Sequence, residues 1–216
     1  SIYVDQWDWE KIITKETRTI EYLKLIVSSI VEAIYNTNNR LRVHFPQLNT
    51  HIDKNVSFIS AQALEDMYPN MTAHERENAY VKEHKTAFIM GIGGALRSGK
   101  PHDGRAPDYD DWDLNGDILI WDETLSCALE VSSMGIRVSP ESLDRQLKIS
   151  GCDDRRELDF HKMLLSGELP LTVGGGIGQS RLCMIMIGTC HIGEVQASLW
   201  DKETEKACAD AGIMLL

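Results

Sequence analysis

The sequence predicts an α+β domain with a mainly antiparallel sheet flanked by helices. Strand-like segments stand beside helical ones without the repeated strand–helix–strand crossovers of a parallel sheet. Two of them, 116–121 and 127–134, are separated by too few residues for anything but a hairpin. At 216 residues, 43% hydrophobic and 25% charged, the chain is long enough for one core, so 1–216 is taken as a single domain.

Residues 1–9 alternate as a strand, with Ile2, Val4, Gln6 and Asp8 on one face and Tyr3, Asp5, Trp7 and Trp9 on the other. Over 17–41, Ile20, Leu23, Val27, Ile30 and Ile34 recur at helical spacing before Pro46. A short strand at 56–60 ends at Ser60, a cap for a helix that stops at Pro69. Thr72 and Glu75 form a capping box opening the next helix, to about Lys85. An apolar strand follows at 86–92, then a Gly-, Pro- and Asp-rich stretch at 93–115 whose length marks it as functional. Beyond the hairpin, Ser139 and Pro140 start a helix ending near Gly151, and a second runs over 154–166. A strand at 171–174 enters a glycine run and passes into a helix near Gln179.

Composition narrows the function. A net charge of -11 works against phosphate-backbone binding, which Lys and Arg supply, so small-molecule substrates are expected and no nucleic acid. Cys127, Cys152, Cys183, Cys190 and Cys208 contain no CxxC pair, which fits a reducing, cytoplasmic setting without disulfides. The apolar run at 182–187 is far shorter than the roughly 20 residues of a membrane span. The start carries no targeting signal, and a chain opening on a strand is expected to continue upstream of Ser1.

Two apparent motifs fail on their context. Gly94 to Lys100 spells the opening of a phosphate-binding loop, but Pro101 stands where a magnesium-binding Ser or Thr is needed. Asp111, Asp113, Asn115, Gly116 and Ile118 begin like an EF-hand, yet the twelfth position is Asp122 and a strand, not a helix, follows. The hairpin is more informative. With Glu123 and Thr124 as its turn, Asp117 lies across from Glu130, and Ser132 shares the Glu130 face. Opposed carboxylates make physical sense around a cation, with magnesium carrying nucleotide phosphates as the candidate. A solvated edge or a slipped register is the alternative. The run Gly174, Gly175, Gly176, Ile177, Gly178, Gln179, Ser180, Arg181 combines close backbone approach, a helix start and an arginine suited to phosphate or a base. Against that stands a glycine-rich packing contact.

The segment GGGIGQSRL at 174–182 resembles motif 3 of class II aminoacyl-tRNA synthetases. With YVDQWDWE at 3–10, RAPDYDDW at 105–112, LNGDILIW at 114–121, SSMGIRV at 132–138 and HIGEVQA at 191–197, the chain is similar over its whole length to ammonia-dependent asparagine synthetases. The resemblance implies a class II synthetase-like fold and a ligase that activates aspartate with ATP and Mg2+ as an aspartyl-adenylate, then transfers it to ammonia. By the same resemblance Gln6, Arg105 and Arg181 are catalytic, and Gln6, Asp8, Arg105, Asp110, Ser132 and Ser133 hold aspartate. Asp117, Glu130, Gly176, Gly178 and Arg181 hold ATP, with Asp117 and Glu130 on the metal.

The resemblance further implies a homodimer. It places the family's motif 1, its motif 2 arginine and loop, and a further acid and lysine upstream of Ser1. It also implies a longer loop between Trp112 and Leu114 than this chain has, so that Asp113 lies beside a missing stretch. An aspartyl-tRNA synthetase-like core and a noncatalytic aspartate- or nucleotide-binding paralogue are the rival functions. His102 and His191 lie near these segments and receive no catalytic role.

Overall fold

The computed structural model describes residues 3–216; Ser1 and Ile2, where the first predicted strand begins, lie outside the described residues. The elements are β1 (Gln6–Ile12), α1 (Ile20–His44), β2 (Ser57–Ser60), α2 (Ala61–Met67), α3 (Ala73–His84), β3 (Thr86–Met90), β4 (Asp110–Asp122), β5 (Cys127–Arg137), α4 (Pro140–Ser150), α5 (Asp159–Leu165), β6 (Thr172–Gly178), α6 (Gln179–Ile187) and α7 (Lys202–Asp210). The caps are those the sequence predicts. Ser60 accepts from Ala63 N, Thr72 and Glu75 close a capping box, and Ser139 with Pro140 opens α4, which ends at a left-handed Gly151.

The strands form one six-stranded sheet in the order β1-β6-β5-β4-β3-β2, antiparallel except for β2 beside β3. Side chains alternate between its faces. On one face Leu23, Val27, Val31 and Ile34 of α1, with Leu182 and Ile185 of α6, pack on Phe88, Ile118, Ile120, Met134, Ile136 and Val173. On the other, Leu64 of α2 and Tyr80 and Val81 of α3 cover Ile59, Ala87, Ile89 and Leu119. These helices cover the β2–β4 side and, through α3, the Ala128 end of β5. The β1, β6 and β5 side of that face carries the polar groups described below.

Several boundaries move. The first strand runs to Ile12 because Lys11 and Ile12 pair with Val173 and Thr172 of β6. α1 opens at Ile20, where Thr19 accepts from Tyr22 N. β4 starts at Asp110, so the predicted 93–115 loop is shorter, and the strand runs through Asp113 rather than breaking there. A single turn of tighter 3-10 helix precedes a shorter α5. The last strand, predicted over 171–174, runs on through the whole glycine run to Gly178. Among the described residues no helix is long and apolar enough to cross a membrane, and the five cysteines are free.

Candidate active site

The site grows from the pairing of β1 with β6. Gln6, Asp8 and Glu10 stand opposite Gly178, Gly176 and Gly174, and opposed residues share a face. The glycines are the floor over which these side chains lie. A Cβ on Gly176 would sit 2.8 Å from Asp8 Oδ1 and 2.9 Å from Gln6 Oε1, and one on Gly174 would collide with Glu10 and stand 2.6 Å from Arg137 Nη2. Gly175, on the opposite face, packs instead against Met134. The packing alternative and the functional one are thus both present, on alternate residues.

Arg105, from the β3–β4 connection, bridges to the sheet. It donates from Nη1 to Ser133 Oγ and from Nη2 to Asp117 Oδ1 at 2.6 Å. Its Nε and Asp110 Oδ2 are both buried without hydrogen-bond partners, 3.9 Å apart. The two groups meet in a long ion contact in which neither atom completes a hydrogen bond, an arrangement that costs about 1–3 kcal/mol for each atom left so. Asp110 is fully buried, and its other oxygen accepts from Arg137 Nη1 at 2.5 Å. Burial pushes the Asp110 carboxyl above the ordinary range, against the pull of Arg137 and Arg105. For Arg105, burial works against the charge, but Asp117, Asp110 and Glu130 outweigh it and raise the pKa.

The hairpin register differs from the predicted one. Four residues, not two, form the turn between Asp122 and Cys127, and a bulge interrupts β5 at Val131. Glu130 therefore opposes Leu119, and Asp117 opposes Ser133. A slip of two positions preserves which face a side chain takes, so Glu130 keeps the Asp117 side; the bulge then exchanges the serines. Ser133 joins that side, while Ser132 pairs with Ile118, a residue of the apolar core, and its buried Oγ has no hydrogen-bond partner. Burial raises the Asp117 carboxyl despite Arg105. Burial, then Asp117, raises that of Glu130. Arg181, on the first turn of α6, donates to the Glu130 backbone oxygen at 3.0 Å and lies 3.8 Å from its carboxylate. Gln6, Glu130, Ser133, Gly176, Gly178 and Arg181 line one groove of about 350 Å³.

Three members were missed. Arg137 chelates Glu10 through Nε and Nη2, donates to Tyr109 Oη at 3.0 Å and stacks on the Tyr109 ring at 3.9 Å. Continuing the alternation from Gln6 and Asp8 would have found Glu10, and from Ser133 would have found Arg137. Glu77, on α3, lies close enough to raise the carboxyls of Asp117 and Glu130; no pattern along the chain points to it. Among the described residues no cluster of three or more side chains could hold a metal unaided. Two hard carboxylates instead suit magnesium bound jointly with phosphate oxygens.

The family model described as aspartate-ammonia ligase matches residues 1–212. The chain belongs to the aspartate-ammonia ligase family. It is 56% identical over 216 residues to the aspartate–ammonia ligase of Clostridium tetani, covering 100% of this chain and 63% of the relative. It is 57% identical over 217 residues to that of Lactobacillus acidophilus, covering 100% and 65%. The chain thus spans somewhat less than two thirds of these relatives' length. Among solved structures it is similar to the asparaginyl-tRNA synthetase of Entamoeba histolytica in complex with asparaginyl-adenylate, with TM-score 0.58 and 16% identity over 88% of this chain and 45% of the other. The aspartyl-tRNA synthetase of the same organism gives TM-score 0.63 and 15% identity over 89% and 42%. At such identities the likeness is one of fold.

Proposed function

We propose that the intact protein is a ligase making asparagine from aspartate and ammonia, cleaving ATP to AMP and pyrophosphate through an aspartyl-adenylate on a class II synthetase-like core. The carrying observation is the orphaned pair, Arg105 Nε against Asp110 Oδ2. A buried donor and acceptor side by side fit a ligand that brings both a carboxylate and an ammonium, and aspartate brings both. Gln6 and Asp8 stand over Gly176, which lies opposite Ser133, the hydroxyl to which Arg105 donates.

In the first step an oxygen of the substrate side-chain carboxylate attacks the α-phosphorus of ATP, and the bond to pyrophosphate breaks with its electrons leaving on pyrophosphate. Arg181 and the groove at Gly176 and Gly178 take the nucleotide, with Arg181 offsetting phosphate charge. Asp117 and Glu130 would hold Mg2+, which supplies neutralisation of the phosphate oxygens when bound. In the second step ammonia attacks the acyl carbon, AMP leaves with the bonding electrons, and the nitrogen sheds its extra proton. Gln6 donates its amide N–H to the oxygen that gains charge. Arg105 and Ser133 position the substrate, with Ser132 lining the same groove.

The acidic balance supports a free small acceptor rather than tRNA, and we read the protein as a cytoplasmic homodimer. The decisive assay supplies the full-length protein with aspartate, ATP and Mg2+ and compares AMP and asparagine formed with ammonium, glutamine or tRNA as acceptor. Asparagine from ammonium is expected. Asparagine from glutamine alone, or aspartyl-tRNA in its place, overturns the reading.

A further inference from the structure

We propose that Glu77 and His102 act as a positioning pair: α3 holds His102 through Glu77, and His102 sets where Arg105, three residues on, meets the sheet. The inference rests on the ligase reading and adds a residue pair to it.

The connection from β3 to β4 is tied down in stages. Upstream, α2 grips it: Arg97 N donates to Gln62 Oε1 at 2.8 Å, Ser98 Oγ to Glu65 Oε1 at 2.7 Å, and the Arg97 guanidinium to both oxygens of Asp66. Downstream, Gln146 of α4 donates to the carbonyl oxygens of Pro107 and Asp110 at 2.9 and 3.0 Å. The stretch between is sparsely held. Asp103 and Gly104 are exposed, and a Cβ built on Gly104 meets nothing within 4 Å. Among the described residues, and apart from Arg105 itself, His102 makes the one side-chain bond from residues 101–105 to another element, Nε2 to Glu77 Oε1 at 2.9 Å.

That bond is built at a cost. The His102 side chain is 0% exposed, and its Nδ1 is buried without a hydrogen-bond partner. Stability alone favours an apolar side chain there, since an orphaned ring nitrogen is a penalty. What an imidazole adds is direction: a ring bonded through one nitrogen to a carboxylate fixed on a helix has a defined orientation. Glu77 is itself well placed to be that fixed point. Tyr80 and Val81, a turn later on α3, pack with Leu119 and Ala128, and Asn78 Oδ1 accepts from Ala128 N at 2.7 Å. The same acid adds negative charge beside Asp117 and Glu130. His74, 3.7 Å from its other oxygen, is exposed and does not tie the connection.

The test uses the full-length enzyme with His102→Leu, His102→Gln, Glu77→Ala and the double variant His102→Leu with Glu77→Ala. Kinetics of AMP formation are measured together with amide hydrogen exchange of residues 99–106 without substrates. His102→Leu is expected to lower kcat/KM for aspartate about 10-fold to 100-fold, as for outer partners of a functional group, with the KM for ATP unchanged. Exchange at 99–106 accelerates while that of the strands does not. Glu77→Ala reproduces the aspartate defect and the faster exchange, and the double variant adds nothing to either single change. Gln at 102, able to place an amide nitrogen near the Nε2 position, restores most of the loss. Wild-type aspartate kinetics and exchange in both single variants overturn the proposal, as does a Gln variant no better than Leu. If wild type makes no asparagine, the ligase reading fails, while the exchange comparison still decides whether the pair anchors the connection.

Discussion

One lateral row of residues crosses all six strands on one face of the sheet: Asp8, Gly176, Ser133, Asp117, Ile89 and Ile59, each opposite the next. Its Ile89 and Ile59 end lies under α2 and α3 in the apolar core, while its Asp8 end carries only polar groups and a glycine. The backbone is the same throughout, and the difference lies in what each half must satisfy. The apolar half closes on itself by excluding water. The polar half closes by pairing charges, and does so incompletely, leaving Arg105 Nε and Asp110 Oδ2 facing each other. Packing fills one half; the other leaves buried polar atoms without hydrogen bonds, at some expense in stability.

The largest expected effect is on the charge pairing. Arg137→Ala strands the fully buried Asp110 and frees Glu10, so denaturant unfolding should show a loss of about 3–5 kcal/mol. A near-neutral change means that the polar half is not held together by Arg137. Next, Gln6→Ala in the full-length protein removes a donor from the open half without touching the core. Turnover should fall about 100-fold to 1000-fold with ATP binding nearly unchanged. Unaltered turnover takes Gln6 out of the mechanism.

The adjacent glycines then separate the two faces. Gly176→Ala pushes on the flexible ends of Asp8 and Gln6, so activity should drop by up to about 100-fold through misplacement with little change in melting temperature. Gly175→Ala pushes on Met134 and on the Ser133 backbone oxygen, 2.9 Å away, and should cost about 1–3 kcal/mol of stability. If both variants lose stability equally, the glycines of β6 are a packing device on both faces.

How far this was legible follows from what each feature depends on. Strand alternation is local, so Gln6 and Asp8 were placed together from sequence, and the helix caps at Ser60, Thr72 and Ser139 depend only on neighbours along the chain. The last strand was ended too early, at Gly174, because glycine weakens a strand interior in general, whereas here Glu10, Asp8 and Gln6 on the next strand require its missing side chains. The pairing of Asp117 with Glu130 was right in face and wrong in register. The four-residue turn, with Ser126 at a left-handed φ of 53, and the bulge at Val131 are choices of the folded ladder that alternation does not encode. Glu77 was invisible because it comes to the site from a helix packed over the same face of the sheet, a neighbourhood that only the tertiary fold sets.

The smallest expected effect has the most informative sign. Burial and the neighbouring Asp117 raise the Glu130 carboxyl above its ordinary value, so its ionised form is disfavoured in the folded protein. An ionised Glu130 therefore costs stability above the raised pKa, and the cost is relieved as pH falls through that pKa toward the unfolded value. Glu130→Gln removes the charge altogether. At neutral pH the variant should melt slightly higher than wild type, by less than about 1 kcal/mol because the side chain is 42% exposed and solvent screens it. The gap should close as the pH is lowered into the carboxyl range. Asparagine formation should fall, since an amide holds a cation poorly. A variant that melts lower at neutral pH would mean that Arg181, 3.8 Å away, outweighs burial, and the polar half would then be held by that contact rather than held open at its expense.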